Sequence, residues 1–213
     1  MRLLLINILL LISIQMRSQT DLGIGLVSIH FDDKTVLEFY SDTLSKESDR
    51  IIEFFDDKNI NSWNIKGLDK QKEWLKPEVF WLDYYAFTFR CLTNSDNWFE
   101  IIVNNETEKS YWLKNTHSTE FKNWEEYLKD MFSVERHPSF PQQIRTEPTD
   151  NSQKLKYQGT DCFVVKSMNG DWIEITTPEY CDENFTDSKT AIKSGWIKWR
   201  KGNELMINYF TTS

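Results

Sequence analysis

Two glutamates occupy matching positions that could support acid–base chemistry. Glu100 follows Trp98 within the stretch Trp-Phe-Glu-Ile, and Glu174 follows Trp172 within Trp-Ile-Glu-Ile. Two carboxyl groups held roughly 5 to 9 Å apart can hydrolyse a glycosidic bond. Both glutamates, however, alternate with apolar neighbours, as the solvent-facing residues of a half-buried strand do. This alternation explains both positions more simply, so we predict no catalytic residue.

The cysteines could instead serve a thiol hydrolase. A nucleophilic Cys needs an adjacent base and usually lies at a helix N-terminus, where its thiolate is stabilised. Cys91 and Cys162 lie within strand-like stretches, and no predicted helix begins at a Cys. Cys91 alternates with Phe87 and Phe89 and is expected to be buried and reduced. Cys162 is out of phase with its apolar neighbours, so we predict that it faces outward and forms a disulfide with Cys181.

Two pairs of acidic residues are the best candidates for a metal site. They lie in turn-like stretches at residues 32–33 and 56–57, and together they could offer carboxylate oxygens to a hard cation such as Ca²⁺. Neither stretch has the EF-hand pattern, and the chain has no Cys-x-x-Cys motif and no His pair at helical spacing. Solvated turns explain these aspartates better. We therefore predict no metal site and no cofactor.

Aromatic side chains are the remaining chemical signal, with 9 Trp, 8 Tyr and 14 Phe in the chain. Most are expected in the core, because small folds need bulky side chains to fill them. Exposed aromatic rings can stack on sugar faces or bind apolar and proline-rich peptides. Trp196 and Trp199 have opposite strand parity, so one of them is expected to point outward. Together with Trp74, Trp81 and Tyr84 they are the candidate ligand-binding residues, although packing within the fold is the favoured explanation for the last three.

Strands are predicted through most of the chain. The clearest stretches are alternating, rich in β-branched and aromatic residues, and bounded by turn residues. They cover residues 26–31, 35–40, 50–55, 85–92 and 98–103.

Two segments favour helices instead of strands. Residues 66–75 have a helix-forming composition and end before Pro77. Residues 119–132 carry apolar side chains at helical spacing, and Ser118 or Thr119 can cap the first turn. These apolar side chains belong to Phe121, Trp124, Leu128 and Met131. The proline-bearing stretch that follows marks a boundary between two halves of the chain.

An internal repeat organises these elements. Each Trp-x-Glu-Ile stretch is followed by a second Trp-bearing stretch, Tyr-Trp-Leu-Lys around Trp112 and Gly-Trp-Ile-Lys around Trp196. Both stretches have strand character. We therefore expect Trp98 to be equivalent to Trp172, and Trp112 to be equivalent to Trp196.

The second copy of the repeat resembles the bacterial SH3-like (SH3b) domain. That family typically shows an Arg-Ser/Thr-x-Pro loop, a Gly-x-Trp-x-x-Val strand and a Gly-Trp-Val/Ile strand. The matching residues here are Arg145, Thr146 and Pro148 for the loop, Gly170, Trp172 and Ile175 for the middle strand, and Gly195, Trp196 and Ile197 for the last strand. The first copy is more diverged, since it lacks the Arg and Pro of the loop and is interrupted by an insertion at about residues 61–84.

The resemblance implies a fold and a domain division. The expected fold is all-β, with two tandem SH3-like small barrels joined by the helix of residues 119–132. The first domain is expected at residues 19–133 and the second at residues 134–213.

The resemblance also implies a function. Bacterial SH3-like domains are non-catalytic modules that often target exported enzymes to peptidoglycan or to other ligands of the cell envelope. We therefore expect a non-enzymatic binding protein that recognises peptidoglycan or an envelope protein. Two alternatives stay open: a cell-wall hydrolase with a site at the barrel interface, and a structural subunit or inhibitor that docks a partner protein through exposed aromatic residues.

The N-terminus and the charge indicate where the protein acts. Arg2 followed by the apolar run of residues 3–14 is typical of a secretory signal peptide, and cleavage is expected after Ser18. No later stretch is apolar enough to span a membrane, so the mature chain is expected in the periplasm or outside the cell. The net charge is −8 and the first half is the more acidic, which argues against nucleic acid and anionic membranes as partners.

Overall fold

The structure is a computed structural model that describes residues 21–181 and 190–211. The predicted signal peptide, residues 1–18, lies outside the described residues. The chain folds mainly into β-strands, as predicted, with short α-helices between them. We refer to residues 21–132 as the N-terminal half and to residues 133–211 as the C-terminal half.

The N-terminal half forms a nine-stranded sheet from its described residues. Its strands are β1 (Gly25–Ile29), β2 (Val36–Tyr40), β3 (Arg50–Asp57), β4 (Ser62–Ile65), β5 (Val79–Trp81), β6 (Ala86–Asn94), β7 (Trp98–Asn104), β8 (Lys109–Lys114) and β9 (Thr119–Asn123). The order across the sheet is β4-β3-β2-β8-β7-β6-β1-β9, and β5 pairs with the start of β6. The helices of this half are α1 (Leu68–Gln71) and α2 (Trp124–Lys129).

The C-terminal half is built from shorter strands. They are β10 (Ser133–Arg136), β11 (Val164–Asn169), β12 (Trp172–Thr176), β13 (Gly195–Lys198), β14 (Arg200–Lys201), β15 (Glu204–Leu205) and β16 (Ile207–Phe210). The three strands β11, β12 and β13 form a meander, whereas β10 pairs with β16 and β14 pairs with β15. A bridge between Val134 and Phe163 joins β10 to the segment that leads into β11.

The two halves repeat one strand order. The order β9-β1-β6-β7-β8 in the N-terminal half corresponds to β16-β10-β11-β12-β13 in the C-terminal half. The counterpart of β2 is a short extended segment, in which Arg145 bridges to Trp196 just as Tyr40 of β2 pairs with Trp112. Tyr40 and Arg145 are therefore equivalent positions.

The pairing register is the same in the two meanders. Trp98 lies opposite Lys114 in the first meander, and Trp172 lies opposite Lys198 in the second. The first strand of each meander is also bulged at the same place, one residue before the residue opposite the glutamate. Trp98 and Trp172 thus lie on equivalent strands, as do Trp112 and Trp196.

The prediction of two closed barrels is wrong for the sheets as they stand. Among the described residues, β4 and β9 end the strand path of the first sheet without pairing to each other. The insertion contributes β4, which pairs with β3 at one end of the strand path, and β5, which pairs with β6. In the C-terminal half, the stretch between β10 and β11 contains no named strand, and the strands form separate small sheets.

The predicted helix over residues 119–132 is wrong in its first part. Residues 119–123 form strand β9, which pairs along the whole of β1, and only Trp124–Lys129 is helical. Asn123 caps α2 instead of Ser118 or Thr119: its side chain accepts from the Glu126 backbone N–H at 3.0 Å, and Glu126 accepts from the Asn123 N–H at 3.0 Å. This reciprocal pair satisfies two N–H groups at the helix start.

Two clusters of buried apolar side chains form the core of the protein. The first lies on the N-terminal sheet and includes Ile65, Leu75 and Leu82 of the insertion, so the insertion packs against the sheet. The second surrounds the C-terminal meander and includes Trp124 and Leu128 of α2. Helix α2 therefore docks onto the C-terminal half, which joins the two halves through buried side chains.

The structure contains the disulfide between Cys162 and Cys181 and leaves Cys91 as a buried free thiol. The bridge fastens the turn after β12 to the segment before β11. The Cys91 thiol donates a hydrogen bond to the Thr93 carbonyl oxygen at 3.2 Å. Burial raises the pKa of Cys91 to about 12, so it stays a protonated, unreactive thiol at neutral pH.

Removing this disulfide is expected to lower the free energy of unfolding by about 3 kcal/mol, from the entropy of a closed loop of this length. Urea denaturation of Cys181→Ser against wild type measures the loss. In the folded wild type, iodoacetamide at pH 8 is expected to leave Cys91 unlabelled, and peptide mapping without reductant to recover a Cys162–Cys181 cross-link. Labelling of Cys91 in the folded protein, or a cross-link that includes it, would contradict this assignment.

Candidate functional site

The outer face of each meander carries the same four side chains. In the C-terminal half, Trp172 and Glu174 of β12 lie opposite Lys198 and Trp196 of β13, while the alternate residues point into the core. The equivalent set in the N-terminal half is Trp98, Glu100, Lys114 and Trp112. The repeat therefore preserves an outward surface as well as a buried pattern.

Hydroxyl groups hold the glutamate of each set in the same way. Glu174 accepts hydrogen bonds from Ser167 at 2.9 Å and from Ser194 at 2.7 Å. The equivalent Glu100 accepts from Thr93 at 3.1 Å and from Ser110 at 3.2 Å. The hydrogen bonds from Ser194 and Ser167 lower the pKa of Glu174, so this carboxylate is charged at neutral pH.

This state suits a structural acceptor and does not suit a general acid. A general acid must be protonated at the working pH, which requires a raised pKa. Each glutamate accepts hydrogen bonds from hydroxyl groups of its own meander. This structural role explains why the two glutamates have equivalent positions and partners, without the two acting together as a catalytic pair.

The N-terminal set is covered by Tyr40. The Tyr40 ring packs edge-on against Trp98, with 5.2 Å between ring centroids. Its hydroxyl accepts from Lys114 at 2.9 Å and donates to Glu38 at 2.7 Å. The Lys114 ammonium also lies 4.7 Å from the Tyr40 ring. Tyr40 therefore contacts both Trp98 and Lys114 of this set.

The C-terminal set has Arg145 at the position of Tyr40, so the aromatic ring that packs on Trp98 has no counterpart at that position. The Arg145 guanidinium donates to the Ser152 carbonyl oxygen at 2.7 Å. A cleft of about 320 Å³ lies beside Trp172, and we call it the Trp172 cleft. Its walls include Gln142, Asp150 and Lys198.

The Trp172 cleft has a fixed floor and a charged rim. The Gln142 amide donates to the Lys198 carbonyl at 2.9 Å and accepts from the Lys198 N–H at 2.7 Å. The Lys198 ammonium lies 5.0 Å from the Trp172 ring, in the range of a cation–π contact. It also pairs with Asp150 at 2.7 Å, and this contact lowers the pKa of Asp150.

The predicted ligand-binding tryptophans of the C-terminal half have different surroundings. Trp196 is partly exposed on the outer face of the meander. Trp199 is only 2% exposed, and its indole N–H donates to the Gly170 carbonyl at 2.9 Å. The prediction of Trp199 as a ligand contact is therefore wrong, because its ring fills the core and its polar group is already bonded.

The predicted residues of the insertion do not form one site. Trp74 packs against Phe39 at 5.3 Å between ring centroids and donates to Gln71 at 2.6 Å, so its ring belongs to the N-terminal sheet. Trp81 and Tyr84 are exposed, at 46% and 60%. Trp81 lines a second cleft, of about 370 Å³, between β5 and β16.

The aspartate pairs of the turns have local partners. Asp32 accepts from Thr35 at 2.8 Å and from the Lys34 N–H at 2.9 Å. Asp57 accepts from the side chains of Asn59 and Asn64. Within the described ranges, no group of three or more His, Cys, Asp or Glu side chains is arranged to hold a metal ion. These aspartates act as turn-stabilising acceptors.

Sequence reasoning found Trp172 only as a repeat marker and Arg145 only as a motif residue. It missed that these residues would border one cleft with Asp150 and Lys198. The available signal was that Arg145 stands where the first copy has Tyr40.

The chain matches no family model, no curated protein and no solved structure. None of the helices in the described part of the chain is long and apolar enough to cross a membrane.

Proposed function

We propose that this chain is an exported, non-enzymatic binding protein of the cell envelope, with peptidoglycan or an envelope protein as its ligand. In this proposal the two halves are diverged SH3-like modules, and the C-terminal half carries the binding site. The disulfide is consistent with an exported protein. The observation that carries the proposal is the Trp172 cleft, which lies where the C-terminal half has Arg145 in place of the Tyr40 ring that packs on Trp98.

The chemistry of the cleft favours binding over catalysis. Trp172 offers an aromatic face for a sugar ring or an apolar side chain, and Gln142 and Arg145 add polar groups at its edge. The Asp150 carboxylate is paired with Lys198, and its lowered pKa makes it a weak general base. A fixed aromatic face with polar groups around it is a sufficient arrangement for recognition.

A second candidate function is docking of a partner protein through the insertion. Trp81, Tyr84 and Tyr85 are 46%, 60% and 62% exposed. Exposed aromatic rings mark protein interaction sites, and these three lie within five consecutive residues of the chain. In this case the chain would be a structural subunit or an inhibitor.

Binding to purified sacculi is expected to depend on Trp172. Trp172→Ala should weaken retention by about 1–3 kcal/mol, roughly 5- to 150-fold in Kd, the range for an aromatic anchor. Trp196→Ala should weaken it less, since Trp196 lies farther along the face from Lys198. Co-sedimentation of the full-length protein with sacculi at increasing concentration measures these constants.

The matched controls are Trp98→Ala and Trp112→Ala, which remove the equivalent rings of the N-terminal half. Both should leave retention unchanged, because the proposed site lies in the C-terminal half, and Tyr40 already packs on Trp98 in the N-terminal half. Equal losses of retention from the substitutions in the two halves would indicate destabilisation of the protein instead of loss of a binding site. If sacculi do not retain the wild-type chain, a ligand in peptidoglycan is excluded and docking through the insertion becomes the better proposal.

A further inference from the structure

The Trp172 cleft is locally basic in an acidic protein. The chain has a net charge of −8, yet the charged residues that line this cleft are Arg145, Lys198 and Lys201 against the single acid Asp150. Basic groups gathered around one concave surface raise the local concentration of anions.

The contacts of these residues leave positive charge unbalanced. Lys198 is neutralised by Asp150. The contact described for the Arg145 guanidinium is to a backbone carbonyl, that of Ser152, which carries no net charge. Lys201 is exposed at the end of β14. Among the described residues Arg145 and Lys201 form no ion pair, and the Asp150 charge, which acts on Arg145 as well as on Lys198, is the one acid facing three cations at the cleft.

Arg145 is the residue best suited to hold an anion there. Its guanidinium has five N–H donors in a planar fork, and the bond to Ser152 occupies only one of them. Such a fork binds a carboxylate through two parallel hydrogen bonds. Trp172 lines the same cleft and offers a face for the group that carries the carboxylate.

We propose that the Trp172 cleft binds a carboxylate-bearing ligand, with Arg145 on the carboxylate and Trp172 against the adjoining sugar ring or side chain. This inference rests on the proposed function and specifies the chemistry of its ligand. Peptidoglycan offers two sources of this group: the lactyl carboxylate of muramic acid residues that carry no peptide, and the free carboxylates of its peptides.

A titration with small probes tests the inference independently of sacculi. ¹⁵N-labelled full-length protein is titrated with N-acetylmuramic acid, with N-acetylglucosamine, which lacks the lactyl carboxylate, and with the dipeptide acetyl-alanyl-glutamate. We expect NMR chemical-shift changes at the Trp172 indole N–H and the Arg145 Nε–H. The Kd values should be millimolar, which corresponds to a binding free energy of ~4 kcal/mol. The acid sugar should bind at least about ten-fold more tightly than the neutral one, a difference of ~1.4 kcal/mol.

Two comparisons separate the sources and the residues. Stronger binding of the acid sugar than of the dipeptide assigns the carboxylate to the glycan, and the reverse assigns it to the peptide. Arg145→Gln should weaken binding of either acid at least ten-fold. Arg200→Gln, the same substitution at an arginine of the same half that pairs with Asp171, should not. Added salt should weaken binding of the acid probes and leave binding of the neutral sugar unchanged.

The inference is overturned if the acid and neutral sugars bind alike, if Arg145→Gln binds like wild type, or if none of the probes shifts the Trp172 signal up to about 20 mM, which is weaker than the millimolar range. Sacculus retention that depends on Trp172 would then still support the proposed function. Conversely, selective binding of the acid probes by a chain that sacculi do not retain would support the inference and remove peptidoglycan as the source.

Discussion

Glu78→Ala is expected to lower the free energy of unfolding by about 3–5 kcal/mol, the cost of leaving one partner of a buried ion pair alone. Glu78 lies just before β5 and pairs with Arg90 of β6, where the two side chains are 8% and 11% exposed. Its carboxylate also accepts hydrogen bonds from Asn105 at 2.6 Å and from the Tyr209 hydroxyl. Loss of the carboxylate therefore leaves a buried guanidinium without its counter-charge.

The position of Glu78 makes this loss larger than a local one. Tyr209 belongs to β16 of the C-terminal half, so the carboxylate connects the insertion, the N-terminal sheet and the last strand. Burial and the nearby Glu78 charge raise the pKa of Tyr209 well above its ordinary value, so the phenol remains a hydrogen-bond donor. We expect one cooperative unfolding transition for wild type and a separation of the two halves in the variant.

Urea denaturation of the full-length protein, followed by tryptophan fluorescence, measures this effect. Glu53→Ala is the matched control, because its partner Lys66 and the glutamate itself are 60% and 46% exposed. An exposed pair of this kind contributes at most about 1 kcal/mol. Replacing both buried partners, as Glu78→Leu with Arg90→Met, should recover much of the loss. Equal costs at Glu78 and Glu53 would show that the buried pair does not hold the two halves together.

The strands and the repeat could be predicted from the sequence because their signals are local. The alternation around Glu100 and Glu174 fixes which residues face outward, and the matching Lys114 and Lys198 set the same register in both halves. The parity of Cys162 likewise placed it where it can reach Cys181. Alternation depends on neighbouring residues, so no knowledge of the tertiary fold is needed.

The start of α2 was mispredicted because two periodicities coincide. Phe121 lies three residues before Trp124, which is a helical spacing. Pairing of β9 with β1 decides the conformation instead, and Phe121 stacks on Phe99 at 6.2 Å between ring centroids. Tertiary pairing overrides a local helical preference where an edge strand of the sheet is available.

The Trp172 cleft and the buried ion pair depend on contacts that no local pattern contains. Glu78 and Tyr209 are 131 residues apart in the chain and meet only when the two halves dock. The cleft requires the knowledge that Arg145 and Tyr40 are equivalent, and this follows from strand pairing. These features arise from strand pairing and from the packing of the two halves, and the residue pattern of a single strand contains neither.

Trp199→Ala is expected to cost about 3–5 kcal/mol of folding free energy, as large aromatic truncations in a core do. The ring is 2% exposed and lies 5.2 Å from the Trp124 ring of α2, between centroids. Trp124 in turn donates to the Leu22 carbonyl at 3.1 Å. The substitution would open a cavity where α2 docks onto the C-terminal half, and the Gly170 carbonyl would lose its donor.

The neighbouring Trp196 provides the comparison that separates packing from binding. Trp196 lies on the outer face, so Trp196→Ala should cost less than Trp199→Ala in urea denaturation while still weakening sacculus retention. At a temperature where the Trp199→Ala variant remains folded, sacculi should retain it as they retain wild type, because the Trp199 ring of the wild type does not reach the surface. If Trp199→Ala instead keeps wild-type stability and loses retention, the ring is a ligand contact, and the packing of α2 against the C-terminal half must differ from the arrangement described above.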